Sequence, residues 1–542
     1  MMCELLLGDE AVAQAALDAG ISGAFSYPGT PATEILEFIQ SRTEGDGRVA
    51  ARWSANEKVA YEEALGMSYA GKRALVSMKH VGLNVAADPF MSSALTGANG
   101  GLVVAVADDP GMHSSQNEQD SRCYADFARI PMFEPSGQQE AYDMTRAAFE
   151  LSENLALPVM VRLVTRLAHS RSGVRRSAPS EVPAGVRPAR DWRDWTLLPV
   201  NARRRYRRLL DVQPTLRELA EKSPFNRLWR AGPKGIIASG LAYNYVREVV
   251  GSDSPYSLLK IGAYPVPACL VRRLVDHCAE ILVVEEGYPF IERQLWGLLG
   301  IPGKTIRGKL CGTLAIDGEM TADRVRLALG MPALGRHPPL EDLPGRPPQL
   351  CQGCPHCDTF RALMAAVGEE ARPLLLGDIG CYTLGAYPPY NAVHSCVDMG
   401  ASIGMASGAA RAGAHPVLCT IGDSTFIHSG MTPLIGAARE DANITVIILD
   451  NGTVAMTGGQ EVFATGEDLL RVIRGLGVDE RHLIRIEPLP KHHERNTEII
   501  RREINHRGLS VIVACRPCIQ VKRRVVQRQV DTQPAAATAT PA

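Results

Sequence analysis

The chain has 542 residues, of which 45% are hydrophobic and 22% are charged, and its net charge is −1. This composition is typical of a globular protein with several domains, and the near-neutral charge disfavours nucleic acid or an anionic membrane surface as a partner. No apolar run reaches the ~18 residues of a transmembrane helix, and the acidic N-terminal segment differs from a signal peptide, so we expect a cytoplasmic protein.

Residues 1–170 alternate short β-rich runs with helical patterns, which is typical of an α/β domain with a parallel sheet. Strands are predicted over 74–80, 101–109 and 157–164, and a helix is predicted over 56–71. We therefore expect the chain to begin with an α/β domain.

An arginine- and proline-rich stretch occupies residues 171–230. Its charge run is typical of a solvated linker, or of a basic face turned toward an anionic cofactor or an acidic partner. Nucleic-acid binding is a further alternative, which the neutral charge of the whole chain disfavours.

Two more α/β blocks follow the arginine-rich stretch. The first, over 231–335, has predicted strands at 235–240 and 281–287, and each strand ends at a glycine-containing turn. The second is expected over 345–525, after a proline-rich spacer. The low-complexity tail over 526–542 is predicted to be disordered.

Polar residues follow two strands of the last block, at the point where each strand ends. One strand runs into Asp423 in a Gly-Asp-Ser turn, and the next ends at Asn451, 28 positions later. A crossover of that length brings neighbouring parallel strand ends together. A carboxylate, an amide oxygen and a backbone carbonyl suit Mg²⁺ that also binds phosphate oxygens. The alternative, which needs no metal, is an aspartate that caps a helix at the end of one strand and an Asn-Gly turn at the end of the other.

These two turns resemble the thiamine diphosphate motif, in which Gly-Asp-Gly is followed at a distance by Asn. The resemblance implies that Asp423 and Asn451 bind Mg²⁺ through their side chains and Thr453 through its carbonyl. Ser424 stands where the family usually has a second glycine. The resemblance further implies cofactor contacts from the following residues: Gly422, Asp423, Ser424, Asn451, Thr453, Met456 and Thr457.

Thiamine diphosphate requires a carboxyl group that hydrogen-bonds its aminopyrimidine ring, on a different domain from the metal site. The first block resembles the pyrimidine domain of the 2-oxoacid:ferredoxin oxidoreductases, in which this glutamate comes nine residues before a helical glycine. Glu57 stands nine residues before Gly66, so the resemblance implies that Glu57 activates the cofactor. Glu62 and Glu63 are competing candidates, and periodicity alone makes Glu57 a solvated helix residue.

Three further residues are candidates for substrate binding or proton transfer. Thr30 lies in a segment that resembles the family's Tyr-Pro-x-Thr-Pro loop, which implies a contact with the substrate's keto or carboxylate group. Arg122 matches the family's carboxylate-binding arginine, and a guanidinium fork suits a carboxylate. His428 lies beside the metal motif and is a candidate proton shuttle, with a structural histidine as the alternative.

Longer segments, among them MKHVGLNVAADP and GDIGCYTLGAYPP, resemble the large subunit of indolepyruvate:ferredoxin oxidoreductase over residues 4–520. The resemblance implies three α/β domains with mostly parallel sheets: a pyrimidine domain (1–170), a middle domain similar to the transketolase C-terminal domain (231–335) and a diphosphate domain (345–525).

The same resemblance implies the reaction and its participants. An aryl pyruvate, such as indolepyruvate, is oxidatively decarboxylated to the acyl-CoA with thiamine diphosphate, Mg²⁺ and CoA. Electrons pass to ferredoxin or another acceptor, and a smaller beta subunit completes the enzyme. A non-oxidative thiamine diphosphate decarboxylase and a non-catalytic scaffold subunit are the alternatives.

The segment CQGCPHCDTF places three cysteines at CxxCxxC spacing. Related oxidoreductases hold a 4Fe–4S cluster with a CxxC pair, a Gly-Cys and a Pro-Cys. By resemblance, this chain offers the same four ligands: Cys351, Cys354, Cys381 and Cys518. Zinc could take the same thiolates, or Cys357 and His356 with the first two, and a set without metal is the third alternative.

The family's large subunit typically ends in a ferredoxin domain with two further cysteine-rich runs. No such run follows Cys518 in this sequence. We therefore expect electrons to leave through a single cluster near the cofactor or through another subunit.

Overall fold

The computed structural model describes residues 3–45, 47–180, 191–334, 348–368 and 373–521. The chain divides into two compact units, Met1–Pro338 and Pro339–Ala542. The tail predicted over 526–542 lies outside the described residues. Over the part of the chain that the structure describes, no helix combines the length and the apolar character needed to cross a membrane.

The first unit is built around two sheets whose strands are mostly parallel. Its strands are β1 Cys3–Leu7, β2 Gly23–Ser26, β3 Ala50–Trp53, β4 Ala74–Lys79, β5 Leu102–Asp108, β6 Met132–Phe133, β7 Val159–Val164, β8 Arg171–Arg175, β9 Arg227–Trp229, β10 Lys234–Ser239, β11 Ser257–Ile261, β12 Ala263–Tyr264, β13 Glu280–Val284 and β14 Thr305–Arg307. The larger sheet has the order β12-β6-β7-β5-β4-β2-β3, and the smaller one has the order β14-β13-β10-β11-β9. β1 and β8 pair separately in an antiparallel ribbon.

Helices cover the faces of these sheets. They are α1 Gly8–Asp18, α2 Thr33–Thr43, α3 Glu57–Tyr69, α4 His80–Val85, α5 Ala87–Thr96, α6 Arg122–Ala128, α7 Gln138–Leu155, α8 Thr165–His169, α9 Pro199–Asp211, α10 Gln213–Lys222, α11 Ala242–Val250, α12 Ala268–His277, α13 Phe290–Trp296 and α14 Ala322–Ala328, with a short 3₁₀ turn at Trp192–Asp194.

The central strands β4, β5 and β7 are buried along their whole length. They are rich in valine, alanine and leucine, and such near-continuous apolar runs are typical of parallel strands covered by helices on both faces. The strands predicted over 74–80, 101–109 and 157–164 are confirmed to within two residues, as is the helix predicted over 56–71. The predicted α/β class with mostly parallel sheets is confirmed.

Residues from the predicted middle block also complete the larger sheet, because β12 pairs antiparallel with β6. Two buried arginines lie nearby: Arg162 donates to Asp108 Oδ2 at 2.7 Å, and Arg122 donates to Glu285 Oε2 at 2.9 Å. Buried charges are normally paired in this way or bound to a metal. The Arg122–Glu285 pair therefore fixes the strand-end loops of the two sheets to each other within the first unit.

The stretch predicted as a linker is partly helical, because α9 and α10 both lie within it. Leu209, Leu216 and Ala220 are buried on these helices. The Arg205 guanidinium donates to the backbone carbonyls of Leu95 and Thr96 at 2.7 and 2.6 Å. An apolar strip within the arginine-rich sequence therefore packs this segment against the first unit, and it is not a solvated linker over α9 and α10. Residues 181–190 lie outside the described residues.

The second unit contains one parallel sheet with the order β15-β16-β17-β19-β18. The strands are β15 Leu374–Gly377, β16 Val417–Gly422, β17 Thr445–Asp450, β18 Leu483–Ile486 and β19 Ser510–Cys515. The helices are α15 Pro355–Val367, α16 Ala401–Arg411, α17 Asp423–Thr425, α18 Met431–Arg439, α19 Gly466–Gly475 and α20 His493–Asn505, with a π segment at Phe426–Gly430 and 3₁₀ turns at Cys381–Ala386, Ala455–Thr457, Glu480–His482 and Pro490–His492.

Candidate active site

The end of β16 and the end of β17 lie side by side in the second unit, because the two strands are parallel neighbours. Asp423 follows β16 directly, and Asn451 follows β17. Asp423 Oδ2 accepts the N–H of Gly452 at 2.8 Å, and Oδ1 accepts the N–H of Ser424 at 2.7 Å. Gly452 has φ +72°, a conformation that favours glycine and turns its N–H toward the carboxylate. The predicted motif residues are therefore adjacent in space.

The Asp423 carboxyl is buried, and burial together with the neighbouring Asp450 carboxyl raises its pKa to about 8. Asp450 is also buried and accepts from Thr465 Oγ1 at 2.5 Å and from the N–H of Gly466 at 2.7 Å. Two neighbouring buried carboxyl groups are stabilised by a cation, and hard oxygen donors suit Mg²⁺. The residues present at this edge thus fit the expected ion.

The loop after Asn451 is held by hydrogen bonds within itself. Asn451 Oδ1 accepts the N–H of Thr453 at 3.0 Å, and Thr453 Oγ1 donates to the carbonyl of Gln460 at 3.0 Å. Thr457 Oγ1 donates to Gln460 Oε1 at 2.6 Å, while the Met456 side chain is 61% exposed. Gln460, which the sequence did not single out, therefore closes the loop that carries the predicted cofactor contacts.

A third acidic group, Asp378, directly follows the neighbouring strand β15. It is buried, which raises its pKa to about 6, and it accepts the hydroxyl of Tyr382 and the N–H of Ser402. The Tyr382 ring packs so closely on Gly422 that a Cβ there would lie 2.9 Å from it. The sequence contained a signal for Asp378, because Gly-Asp follows a strand here as it does at Asp423.

A cleft of about 560 Å³ opens at the carboxyl ends of β17, β18 and β19, beside Asn451 and Gly452. Arg485, Arg495 and Arg516 are among its lining residues. Arginine side chains make such a rim suitable for anionic ligands.

The four cysteines predicted as cluster ligands gather in the second unit: Cys351, Cys354, Cys381 and Cys518. Burial raises the pKa of the Cys381 thiol to about 11, with smaller contributions from Cys518 and Cys351. Gln520 Nε2 donates to Cys351 Sγ at 3.3 Å, and the Cys518 N–H donates to the Asn451 carbonyl at 2.9 Å. Residues far apart in the chain therefore meet here, beside the loop of the metal motif.

The other two residues of the zinc alternative, Cys357 and His356, are both buried. The thiols of Cys354 and Cys357 share a hydrogen bond, which raises the pKa of Cys354 and lowers the pKa of Cys357 to about 6. Burial lowers the pKa of His356 to about 4, and its ring meets the Tyr382 ring edge-on at 6.3 Å. The imidazole thus packs against an aromatic ring.

His428, the predicted proton shuttle, lies in the π segment at Phe426–Gly430. The side chain is buried, and its Nδ1 lies 2.7 Å from Ser429 Oγ. A role in proton transfer stays a prediction.

In the first unit, Glu57 is the first residue of α3, and Asn56 caps the helix by accepting the Val59 N–H at 2.9 Å. Glu57 is only 5% exposed, whereas Glu62 and Glu63 are exposed. A Cβ on Gly82 would lie 2.6 Å from Glu57 Oε1, so the carboxyl group is packed against the backbone of α4. The expectation from periodicity of a solvated Glu57 is wrong, because a glycine of another element covers it.

Thr30 and Lys79 are held by the same loop at the carboxyl edge of the larger sheet. Ser114 Oγ donates to the Thr30 carbonyl at 3.1 Å, and Lys79 Nζ donates to the Ser114 carbonyl at 3.1 Å. Burial lowers the pKa of Lys79, and the charges of Asp109 and Glu57 oppose this effect. Lys79 is the last residue of β4, a position where parallel sheets bind ligands, and sequence reasoning missed it.

Arg122 is not available for the role that the sequence suggested. Its guanidinium is fully buried and donates to Asp120, to Glu285 Oε2 at 2.9 Å, and to the carbonyls of Glu286 and Tyr288 at 2.7 and 2.9 Å. A guanidinium has five N–H donors, and these acceptors occupy them together with Ser239 Oγ, which lies 3.4 Å from Nη1. We therefore correct the assignment: Arg122 is a structural residue of the first unit.

Comparison with known proteins agrees with this arrangement. Residues 14–191 match a family model described as "Pyruvate flavodoxin/ferredoxin oxidoreductase, thiamine diP-bdg", and residues 378–514 match "Thiamine pyrophosphate enzyme, C-terminal TPP binding domain". The chain is 39% identical to "Indolepyruvate oxidoreductase subunit IorA" of Methanothermobacter thermautotrophicus, over 95% of this chain and 86% of that protein. The chain belongs to the family of indolepyruvate oxidoreductase IorA subunits.

A second family member, the IorA subunit of Archaeoglobus fulgidus, is 38% identical over 97% of this chain and 88% of its own length. Among solved structures, a 2-oxoglutarate:ferredoxin oxidoreductase from Magnetococcus marinus has a TM-score of 0.50 at 15% identity, over 60% of this chain and 65% of that chain. This last likeness concerns the fold alone. The chain is thus an enzyme subunit of the thiamine diphosphate-dependent 2-oxoacid oxidoreductase type.

Proposed function

We propose that this chain oxidatively decarboxylates an aryl pyruvate of the indolepyruvate type, that the acyl group passes to CoA, and that electrons leave through an iron–sulfur cluster. The main support is that the buried Asp423 carboxylate, at the end of β16, accepts a hydrogen bond from the turn that contains Asn451, at the end of the adjacent strand β17. The relatives' name, indolepyruvate oxidoreductase, supports the choice of substrate.

Asp423, Asn451 and the Thr453 carbonyl hold Mg²⁺ in this proposal, and the backbone around Gly422 and Ser424 receives the diphosphate. Other cofactor contacts come from Met456 and Thr457. When bound, thiamine diphosphate supplies an electron sink for the bond between the keto carbon and the carboxylate carbon. Glu57 holds a proton at its carboxyl oxygen toward the aminopyrimidine ring, and its burial against Gly82 excludes water from that contact.

The substrate carboxylate is bound by Lys79 rather than by Arg122, with the Thr30 hydroxyl beside it. Lys79 is 8% exposed and has three N–H donors, one of which the Ser114 carbonyl accepts. Its ammonium group is close enough to interact with the Glu57 charge, so it lies near the carboxyl that serves the cofactor. A cation in this position also stabilises an ionised substrate.

Lys79→Met should raise KM for the 2-oxo acid by about 10- to 100-fold, because a hydrogen bond to a charged group contributes about 1.5–3 kcal/mol. The turnover number at saturating substrate should change much less. Steady-state kinetics of the assembled enzyme measure both values, and Lys58→Met, at an exposed lysine that is the second residue of α3, is the matched control. An unchanged KM in Lys79→Met would remove this residue from the substrate site.

The electron exit in this proposal is one 4Fe–4S cluster on the four gathered cysteines: Cys351, Cys354, Cys381 and Cys518. These positions match the CxxC, Gly-Cys and Pro-Cys ligands by which related oxidoreductases hold a 4Fe–4S cluster, which supports a cluster over a single zinc ion.

A smaller beta subunit completes the enzyme, and ferredoxin or another carrier accepts the electrons. The subunit designation of the relatives supports the first partner. The arginine-lined cleft beside Asn451 suits the phosphates of CoA. We assign no direct step to His428, whose role is at most that of a proton shuttle.

The decisive experiment is a product analysis of the anaerobically purified complex of this chain and its small subunit, with a viologen dye as electron acceptor. With indolepyruvate, we expect dye reduction that depends on CoA, and an indoleacetyl thioester detected by mass spectrometry. Pyruvate and 2-oxoglutarate serve as matched poor substrates. An aldehyde product formed without dye reduction would instead identify a non-oxidative decarboxylase, and no turnover of any 2-oxo acid would identify a scaffold subunit.

A further inference from the structure

Three potential metal ligands come together in the first unit from separate helices. Asp9 lies in the first turn of α1, Glu34 in the first turn of α2, and His169 at the end of α8. One ligand atom of each lies within 4.8 Å of the others, and His169 Nε2 is 3.5 Å from Glu34 Oε1. Metal–ligand bonds of about 2.0–2.2 Å place two ligands of one ion about 3–4.4 Å apart, so small side-chain adjustments would suffice.

The inner member of this cluster, Asp9, lacks any visible compensation for its burial. Its exposure is 0%, and neither carboxylate oxygen has a hydrogen-bond partner; the same is true of Glu34 Oε2. Burial, together with the charges of Glu34 and Glu10, raises the pKa of Asp9 well above its usual value. Buried carboxylates are normally paired, hydrogen-bonded or bound to a metal, so this group calls for a ligand.

We propose that Asp9, Glu34 and His169 bind one divalent transition-metal ion. Two carboxylate oxygens and one imidazole nitrogen suit ions of the Mn²⁺, Fe²⁺ and Zn²⁺ class. Glu34 and His169 are each 35% exposed, which gives an ion a route into the site and leaves room for water molecules to complete its coordination. Asp9 is the buried ligand at the inner side.

The ion would connect segments that are far apart in the chain. Asp9 and His169 are 160 positions apart, and Glu34 comes four residues after Thr30. A metal at this point would therefore fasten α1 to α8 and fix the base of the loop that carries Thr30. The site is distinct from the thiamine diphosphate motif and from the cysteine set, and its occupation does not depend on the proposed reaction.

The test uses the full-length chain, stripped with a chelator and kept free of thiamine diphosphate. Mn²⁺ is the probe because the thiolates of the cysteine set prefer softer ions and should bind it weakly. Electron paramagnetic resonance combined with equilibrium dialysis measures the number of bound Mn²⁺ ions per chain. We expect the chain to bind one Mn²⁺ ion through Asp9, Glu34 and His169. Asp9→Asn and His169→Gln should each weaken the binding of this ion by at least ~10-fold. Asp423→Asn should retain this ion, which separates the site from the expected Mg²⁺ motif.

A second measurement separates loss of the site from loss of the fold. In chelator, Asp9→Asn should melt near the temperature of the unaltered chain, because asparagine keeps the shape of the side chain and only exchanges one buried group without a hydrogen-bond partner for another. In the Asp423→Asn background, which lacks the expected Mg²⁺ motif, added Mn²⁺ should raise the melting temperature, because an ion that binds the folded state alone stabilises it. The further change Asp9→Asn should remove this increase. Equal Mn²⁺ binding by the Asp423→Asn variant and by the Asp423→Asn, Asp9→Asn double variant overturns the proposal, and so does the absence of binding in the Asp423→Asn variant.

Discussion

Glu57→Gln is expected to lower the turnover number of the assembled enzyme by about 10²- to 10⁴-fold, the usual contribution of a positioned acid or base. Glutamine preserves the shape of the side chain, so the packing against Gly82 is retained. It cannot hold an ionisable proton, which the proposal requires at this position. The measurement is indolepyruvate-dependent viologen reduction at saturating thiamine diphosphate and Mg²⁺.

The matched control for this prediction is Glu62→Gln on the same helix. Glu62 is exposed and pairs with Lys58, so its removal should leave the turnover number within about twofold. Thiamine diphosphate binding, measured by equilibrium dialysis, should change little in either variant. If Glu57→Gln kept more than a tenth of the activity, or if Glu62→Gln lost it, the assignment of the activating carboxyl would be wrong.

The sequence predicted features that depend on local pattern and on general rules of parallel sheets. Asp423 and Asn451 could be expected to meet because each directly follows an apolar strand and a single crossover connects them. The boundaries of β4, β5 and β7 followed from runs of valine, alanine and leucine, whose burial the fold requires.

Features that depend on partners distant in the chain could not be predicted in this way. Arg122 was assigned to the substrate carboxylate from its match to a family position, and the sequence did not show its pairing with Glu285, which comes 163 positions later. The burial of Glu57 likewise depends on Gly82, which belongs to another helix. Lys79 escaped notice because a lysine that ends a buried strand has the same local pattern whether it faces solvent or a site.

The spacing of the cysteines along the sequence did not by itself show which of them meet in space. Cys518 follows β19, and Gln520, two residues later, donates a hydrogen bond to Cys351 Sγ. No local sequence pattern predicts this contact between distant segments. The family resemblance supplied the four positions, and the structure places them together. It also brings the Cys357 thiol into hydrogen-bond contact with the Cys354 thiol.

Cys518→Ala is expected to abolish the bound iron of the anaerobically purified chain, from about four atoms per chain to none, together with its broad visible absorption. A 4Fe–4S cluster needs all four thiolates, and alanine removes one of them. The backbone should remain in place, because the Cys518 N–H donates to the Asn451 carbonyl and does not involve the sulfur. Iron analysis and circular dichroism of the same sample separate cluster loss from unfolding.

Cys357→Ala provides the matched control, because Cys357 lies in the same segment and is as buried as Cys518. It should keep its iron and its absorption band. Loss of iron from Cys357→Ala with retention in Cys518→Ala would reverse the ligand assignment, and one zinc atom per chain in place of iron would make the site structural. In that case electrons could not leave through these cysteines, and the oxidative reaction would depend on a cluster of another subunit.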